Sequence, residues 1–208
     1  VSAVMLLLVP LGNTSFVGFP MVEALLGQQA LPYAIIYDQL GSFVAVSTYG
    51  MLVLAYYSGG SISPILLAKK LLSFPPFIAV IVAVFLIGRE YPVWLYEGLA
   101  RIGDSLVPVV MVAVGLQWRL RLDRAHLLPL SLALTLKLFL IPALLWLGML
   151  SMKFTALAAQ AALLESSMPA MITAGALLAS HNLAPRLASS IVGYGLLLSL
   201  ATVPLWSM

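Results

Sequence analysis

The chain has 208 residues, of which 62% are hydrophobic and only 8% charged, and its mean hydropathy is +1.10. Soluble domains are about half apolar and about a quarter charged, so this composition excludes a soluble globular domain and marks a polytopic membrane protein. With no cysteine, a disulfide framework and a thiolate metal site are also excluded. The net charge of +3 is small and sits in loops, where it speaks to topology rather than to nucleic acid.

A membrane span needs about 20 apolar residues. Seven segments qualify, at roughly 1–27, 32–57, 64–88, 94–116, 127–149, 154–180 and 185–207, which gives an all-α fold. The third is the weakest, because its clean run begins only at Phe74 and Pro75–Pro76 interrupts its start. Pro32, Pro92 and Pro185 fall at or just before segment starts, where a missing N–H is harmless. Pro10, Pro108, Pro142 and Pro204 lie inside segments and are expected to kink them. No cleavable leader is visible, and the first segment can serve as its own insertion signal. The chain opens at Val1, already inside an apolar run, which leads us to expect further helices upstream.

Basic residues alternate between connections. Lys69 and Lys70 precede the third segment, Arg119, Arg121 and Arg124 separate the fourth from the fifth, and Arg186 opens the seventh. The intervening connections are neutral, mixed or carry only Lys153. By the positive-inside rule the basic loops are cytoplasmic, and the C-terminus at Met208 is outside. Tyr33, Trp94, Tyr96 and Trp206 fit interfacial anchors.

The first and sixth segments are interrupted, by GNTSFVGFP (Gly12–Pro20) and ESSMPA (Glu165–Ala170). Each interruption carries small polar residues and then a proline, Pro20 or Pro169, that can restart a helix in its first turn. Backbone without helical pairing survives at membrane depth only when buried in protein or lining a cavity. A repeated pair of broken spans is the best sequence pointer to a transporter's binding site. Each broken segment is followed by a proline-led full segment, so segments one and two match six and seven in order. Gly41 and Gly50 find loose counterparts in Gly193 and Gly195. Three helices before Val1 would complete two five-helix repeats, the second inverted relative to the first. On that plan residues 1–57 close the first repeat, 58–73 form a cytoplasmic linker and the start of the third segment, and 74–208 hold the second repeat.

Val1 to Leu11 rises about 16 Å, roughly half the hydrocarbon thickness, so the first break should sit near the midplane. A half-helix starting at Pro20 would direct free N–H groups and a positive dipole end at a carboxylate. The candidate substrate-binding residues are therefore Asn13, Thr14, Ser15, Gly18 and Pro20 in the first break. Ser166, Ser167, Met168 and Pro169 are their counterparts in the second. Ionisable residues at membrane depth are functional candidates by default. Lys137 can neutralise an anion or pair with a titrating carboxylate, and Glu165 is that carboxylate. Asp38 and Gln39 can support the crossover or reach the outer interface, and Glu23 sits in the first turn after Pro20, where its charge meets the helix dipole. Arg101 and Asp104 fit a surface pair, and the spacing of His126 and His181 points to no metal site.

Six stretches in order resemble the auxin efflux carrier family, which includes plant PIN-type carriers and bacterial organic-acid permeases. They are NTSFVGFPMV (13–22), KKLLSFPPFIAVIVAVFLIG (69–88), DSLVPVVMVAVGLQWR (104–119), LKLFLIPALL (136–145), SSMPAMITAGALLASH (166–181) and LASSIVGYGLLLSLATVPLW (187–206). The resemblance implies ten helices in two inverted five-helix repeats, of which this chain would lack about the first three. It also implies passive or ion-coupled export of small organic anions, auxin-like or dicarboxylic, bound where the broken helices cross. No enzyme activity, cofactor, metal or nucleic-acid partner is expected. The coupling ion is H+ or Na+, the other partner is membrane lipid, a homodimer is compatible, and the membrane is a bacterial inner membrane.

Three other readings compete. A sodium-coupled organic anion symporter of the bile-acid transporter fold is the nearest. An intramembrane aspartyl protease would use Tyr37–Asp38, but Arg101 stands where its second motif, ending at Gly103–Asp104, requires glycine. A seven-helix retinal receptor would want a lysine in the last segment, which has none.

Overall fold

The computed structural model describes residues 1–59, 75–89, 92–105 and 126–207, together with positions 65, 72, 108, 109 and 112. Within them the chain forms nine principal helices: α1 (Ser2–Leu8), α2 (Thr14–Leu26), α3 (Gln28–Ser58), α4 (Pro75–Leu86), α5 (Val93–Asp104), α6 (Leu127–Met152), α7 (Leu157–Ser166), α8 (Ile172–Ser180) and α9 (Pro185–Trp206). Of these, α3, α6 and α9 are long and apolar enough to cross a membrane unbroken. Two half-helix pairs, α1–α2 and α7–α8, occupy the interrupted segments. The protein is thus a polytopic all-α membrane protein. Helices α4 and α5 fall in the third and fourth expected segments. Most of the rest of those segments, and the basic residues Lys69, Lys70, Arg119, Arg121 and Arg124, lie outside the described residues.

Prolines shape the long elements in a consistent way. Pro10 lacks the N–H that would bond the Leu6 carbonyl four residues back, and α1 ends two residues before it. The Tyr49 hydroxyl of α3 donates to that same Leu6 carbonyl at 2.8 Å. Pro142 likewise cannot bond the Leu138 carbonyl, and α6 passes through a π-helical turn over Leu136–Leu140 just before it. The Trp206 indole N–H donates to Leu138 O at 3.0 Å. The indole N–H of Trp206, at the end of α9, is thus engaged within the protein while the ring stays half-exposed. In each case an aromatic side chain from a distant helix satisfies a carbonyl that a proline has released.

Two apolar clusters flank the middle of the bundle. One gathers Val4, Leu7 and Leu8 of α1 with Leu54 of α3, Ala133 of α6, Ala174 and Leu178 of α8, and Leu187 and Ile191 of α9. The other gathers Val17 and Val22 of α2 with Ala34 of α3, Leu164 of α7, and Leu196 and Val203 of α9. So α1 packs with α8 at one end, and α2 with α7 at the other. The buried polar residues Asn13, Thr14, Asp38, Gln39, Lys137, Glu165, Ser166 and Ser167 belong to neither cluster.

Candidate functional site

The two interruptions meet. Gly12 and Ala170 lie opposite each other in an antiparallel bridge. The Asn13 N–H donates to Pro169 O at 2.7 Å, and the Met171 N–H donates to Leu11 O at 3.0 Å. Asn13 and Met171 are the N-cap residues of α2 and α8, so each half-helix begins immediately after the crossing. Two peptide groups from each break are thereby paired with the other break, which meets the demand that backbone at this depth be satisfied. The first N–H groups of α2 and α8 have no acceptor within their own helices and converge on the crossing with the positive ends of both dipoles.

The restart points differ from the sequence reading. Helix α2 begins at Thr14 with a π-helical turn over Thr14–Gly18, six residues before Pro20, and only its regular α-helical part, which opens at Phe19, carries Pro20 in the first turn. Pro169 stays in the extended link, and α8 starts at Ile172. A wide π turn admits the small polar run directly after the N-cap, so no proline is needed to start the helix. Glu23 is displaced by the same correction. It stands in the last turn of α2, where its carbonyl accepts the Gly27 N–H, and the dipole there does not favour a carboxylate.

Around the crossing the side chains form one layer. Thr14 Oγ1 donates to Asp38 Oδ1 at 2.5 Å, and Gln39 Nε2 donates to Asp38 Oδ2 at 2.8 Å. Asp38 is 3% exposed and is held to the start of α2 by the Thr14 hydrogen bond. It sits on a second π turn, Tyr37–Ser42, and Lys137 sits on the π turn before Pro142. Three π turns thus carry Thr14, Asp38 and Lys137 into the layer, in keeping with the tendency of such turns to mark functional positions. A Cβ built on Gly12 would lie 3.2 Å from the Lys137 ammonium, so the lysine reaches the crossing itself. A Cβ on Gly18 would lie 2.8 Å from Cδ of Glu165, whose carboxylate covers the first turn of α2.

Glu165 is fully buried within electrostatic reach of Lys137 and Asp38, with no direct ion pair joining it to Lys137 among the described residues. Neither of its carboxylate oxygens has a hydrogen-bond partner there, and Asn13 Nδ2 and Gln39 Oε1 are equally buried and unpartnered. Ser166 and Ser167 donate their hydroxyl protons to Leu163 O and Leu164 O, each at 2.7 Å. Of the expected site residues, Ser15 lies half-buried, Pro169 is buried in the crossing, Gly18 and Pro20 are buried on α2, Met168 is buried in the second apolar cluster, and Glu23 stands apart. Sequence reasoning missed Leu11, Gly12, Ala170 and Met171, which act through their backbone. The glycine before Asn13 was the available signal. Gly195 of α9 also belongs here, since a Cβ on it would touch Pro169 and Ala170 at 3.5 and 3.8 Å.

Two half-helix pairs crossing in a buried polar layer of an all-α membrane protein define a polytopic integral membrane protein built around a central discontinuity. Residues 61–207 match the family described as membrane transport protein. The chain belongs to that family, the auxin efflux carrier family it resembles. An uncharacterized transporter of Methanothermobacter thermautotrophicus is 31% identical over 202 residues, covering 94% of this chain and 64% of the relative. An uncharacterized transporter of Methanocaldococcus jannaschii is 31% identical over 111 residues, covering 51% of this chain and 35% of the relative. The chain therefore spans less than two thirds of the length of either relative.

Proposed function

We propose that the protein is a secondary transporter exporting small organic anions, with the substrate carboxylate bound at the crossing and exposed to either side by movement of the crossing helices. The observation that carries this reading is the convergence of two half-helix N-termini, the Lys137 ammonium and the unpartnered Asn13 amide on one buried point. Helix N-termini bind anions through free N–H groups and dipole, and discontinuous helices place them at the midplane in transporters. Asn13, Thr14, Ser15, Gly18 and Pro20 form one wall, and Ser166, Ser167, Met168 and Pro169 the other. Asp38 and Gln39 brace the first wall, and Lys137 with Glu165 supplies the charge that couples transport to an ion gradient, H+ or Na+. Glu23, held in the last turn of α2, takes no part.

Reconstitution of the purified protein into proteoliposomes tests the reading. Counterflow of a labelled carboxylate that is competed by other carboxylates and reduced in Asn13→Ala is the expected result. Counterflow equal to that of empty liposomes across a panel of carboxylates would contradict it.

A further inference from the structure

We infer that the crossing takes a carboxylate that also carries an ammonium group, an amino carboxylate, in preference to a plain mono- or dicarboxylate. The inference rests on the crossing being the substrate site and goes beyond it by matching the remaining polar atoms to a ligand. On the donor side stand the Lys137 ammonium beside Gly12 and the Asn13 amide, whose Nδ2 is unpartnered although the residue is only 1% exposed. These two suit a carboxylate.

Acceptors stand beside these donors. Both Glu165 oxygens and Gln39 Oε1 are buried and without partners among the described residues. The Ser166 and Ser167 hydroxyl protons are committed to α7 carbonyls, so these hydroxyls offer only lone pairs. Asp38 is already engaged at both oxygens by Thr14 and Gln39. A buried acceptor left without a donor costs free energy, more when charged, so a ligand bringing donors is favoured over one bringing only acceptors.

Charge points the same way. Among the described residues the layer holds one basic side chain, Lys137, against two acidic ones, Asp38 and Glu165. A dicarboxylate would add two more negative charges where the dielectric is low, whereas an amino carboxylate adds none. The poles are also separated. The Lys137 ammonium lies at Gly12, where the Glu165 carbonyl also lies, whereas the Glu165 carboxylate lies at Gly18, and no direct ion pair joins the two side chains among the described residues. A ligand with opposite charges at adjacent carbons would lay its carboxylate toward Lys137 and Asn13 and its ammonium toward Glu165.

Thermal stabilisation of the purified protein by matched compounds tests this. Alanine, valine, leucine and phenylalanine are each compared with the acid lacking the amino group, and with succinate. At least one amino acid should stabilise the wild-type protein at a concentration about tenfold lower than its des-amino partner, the loss expected when a charged hydrogen bond is removed. Glu165→Gln should shrink that ratio toward one. Equal or tighter binding of the des-amino acids or of succinate to the wild-type protein would overturn the inference while leaving a carboxylate site at the crossing. Binding of the des-amino acids that requires sodium would overturn it too, by placing a metal cation on these acceptors. No stabilisation by any of the compounds, with no counterflow of labelled forms of them, would overturn both this inference and the assignment of the site.

Discussion

Asn13 and Met171 hold equivalent positions in the two broken segments. Each is an N-cap, and each donates its N–H to the carbonyl two residues before the other: Asn13 to Pro169 and Met171 to Leu11. The crossing therefore has a local two-fold relationship in its backbone that its side chains do not share. One side carries an amide whose Nδ2 is without a partner among the described residues, and the other a thioether packed in the apolar cluster of α1 and α8.

That asymmetry makes Asn13 the more consequential side chain. Asn13→Ala should lower transport roughly tenfold or more, the effect of losing one hydrogen bond to a charged group, whereas Met171→Leu should change it little. Initial rates in proteoliposomes, at protein amounts matched by gel filtration, check both expectations.

Gly18 faces the Glu165 carboxylate so closely that a methyl group has no room. Gly18→Ala should destabilise the protein by about 1–3 kcal/mol, as overpacking of a tight interior does. Adding Glu165→Ala should recover most of that stability without restoring transport, because neighbouring substitutions that share one space are not additive. Thermal unfolding in detergent, read beside counterflow, separates the two effects.

The carbonyls released by Pro10 and Pro142 give a sharper test of packing. Trp206→Phe removes the donor to Leu138 O and should cost about 1–3 kcal/mol by leaving a buried acceptor unpaired. Restoring a backbone donor with Pro142→Ala in the same protein should recover part of the loss. Tyr49→Phe with Pro10→Ala should behave likewise at Leu6 O, more weakly because Tyr49 is partly exposed. Melting temperatures of the single and double variants measure the coupling.

Thr14→Val removes a hydroxyl donor from Asp38 at nearly constant volume. Transport should fall, and Asp38→Asn in the Thr14→Val background should recover part of it, since a neutral amide tolerates the missing donor better than a carboxylate. Rates of the two single variants and the double variant complete the comparison.

What the sequence revealed was chemical contrast. Small polar residues and prolines stand out at 12–20 and 165–170 in an apolar chain, and Asp38, Lys137 and Glu165 stand out within long apolar runs. Composition also sufficed for an all-α membrane protein. The restart points were not legible, because a proline is a strong local sign and a π turn leaves almost none. Pro20 and Pro169 drew the helix starts to themselves, while the backbone used Thr14 and Ile172. The partners of Leu6 and Leu138 were hidden for another reason. Tyr49 and Trp206 lie 43 and 68 residues away, and no periodicity encodes such a pairing.

The most direct test uses the absence of native cysteine. Gly12 and Ala170 oppose each other as a pair flanked by the two crossing hydrogen bonds, a geometry with Cα atoms about 4.5 Å apart and within reach of a disulfide. Gly12→Cys with Ala170→Cys, and a protease site inserted between α6 and α7, should yield fragments that stay joined after cleavage until a reductant is added, and reduction should restore counterflow lost on oxidation. Fragments that separate without reductant, under oxidising conditions that link a control pair, would contradict the crossing on which the account depends.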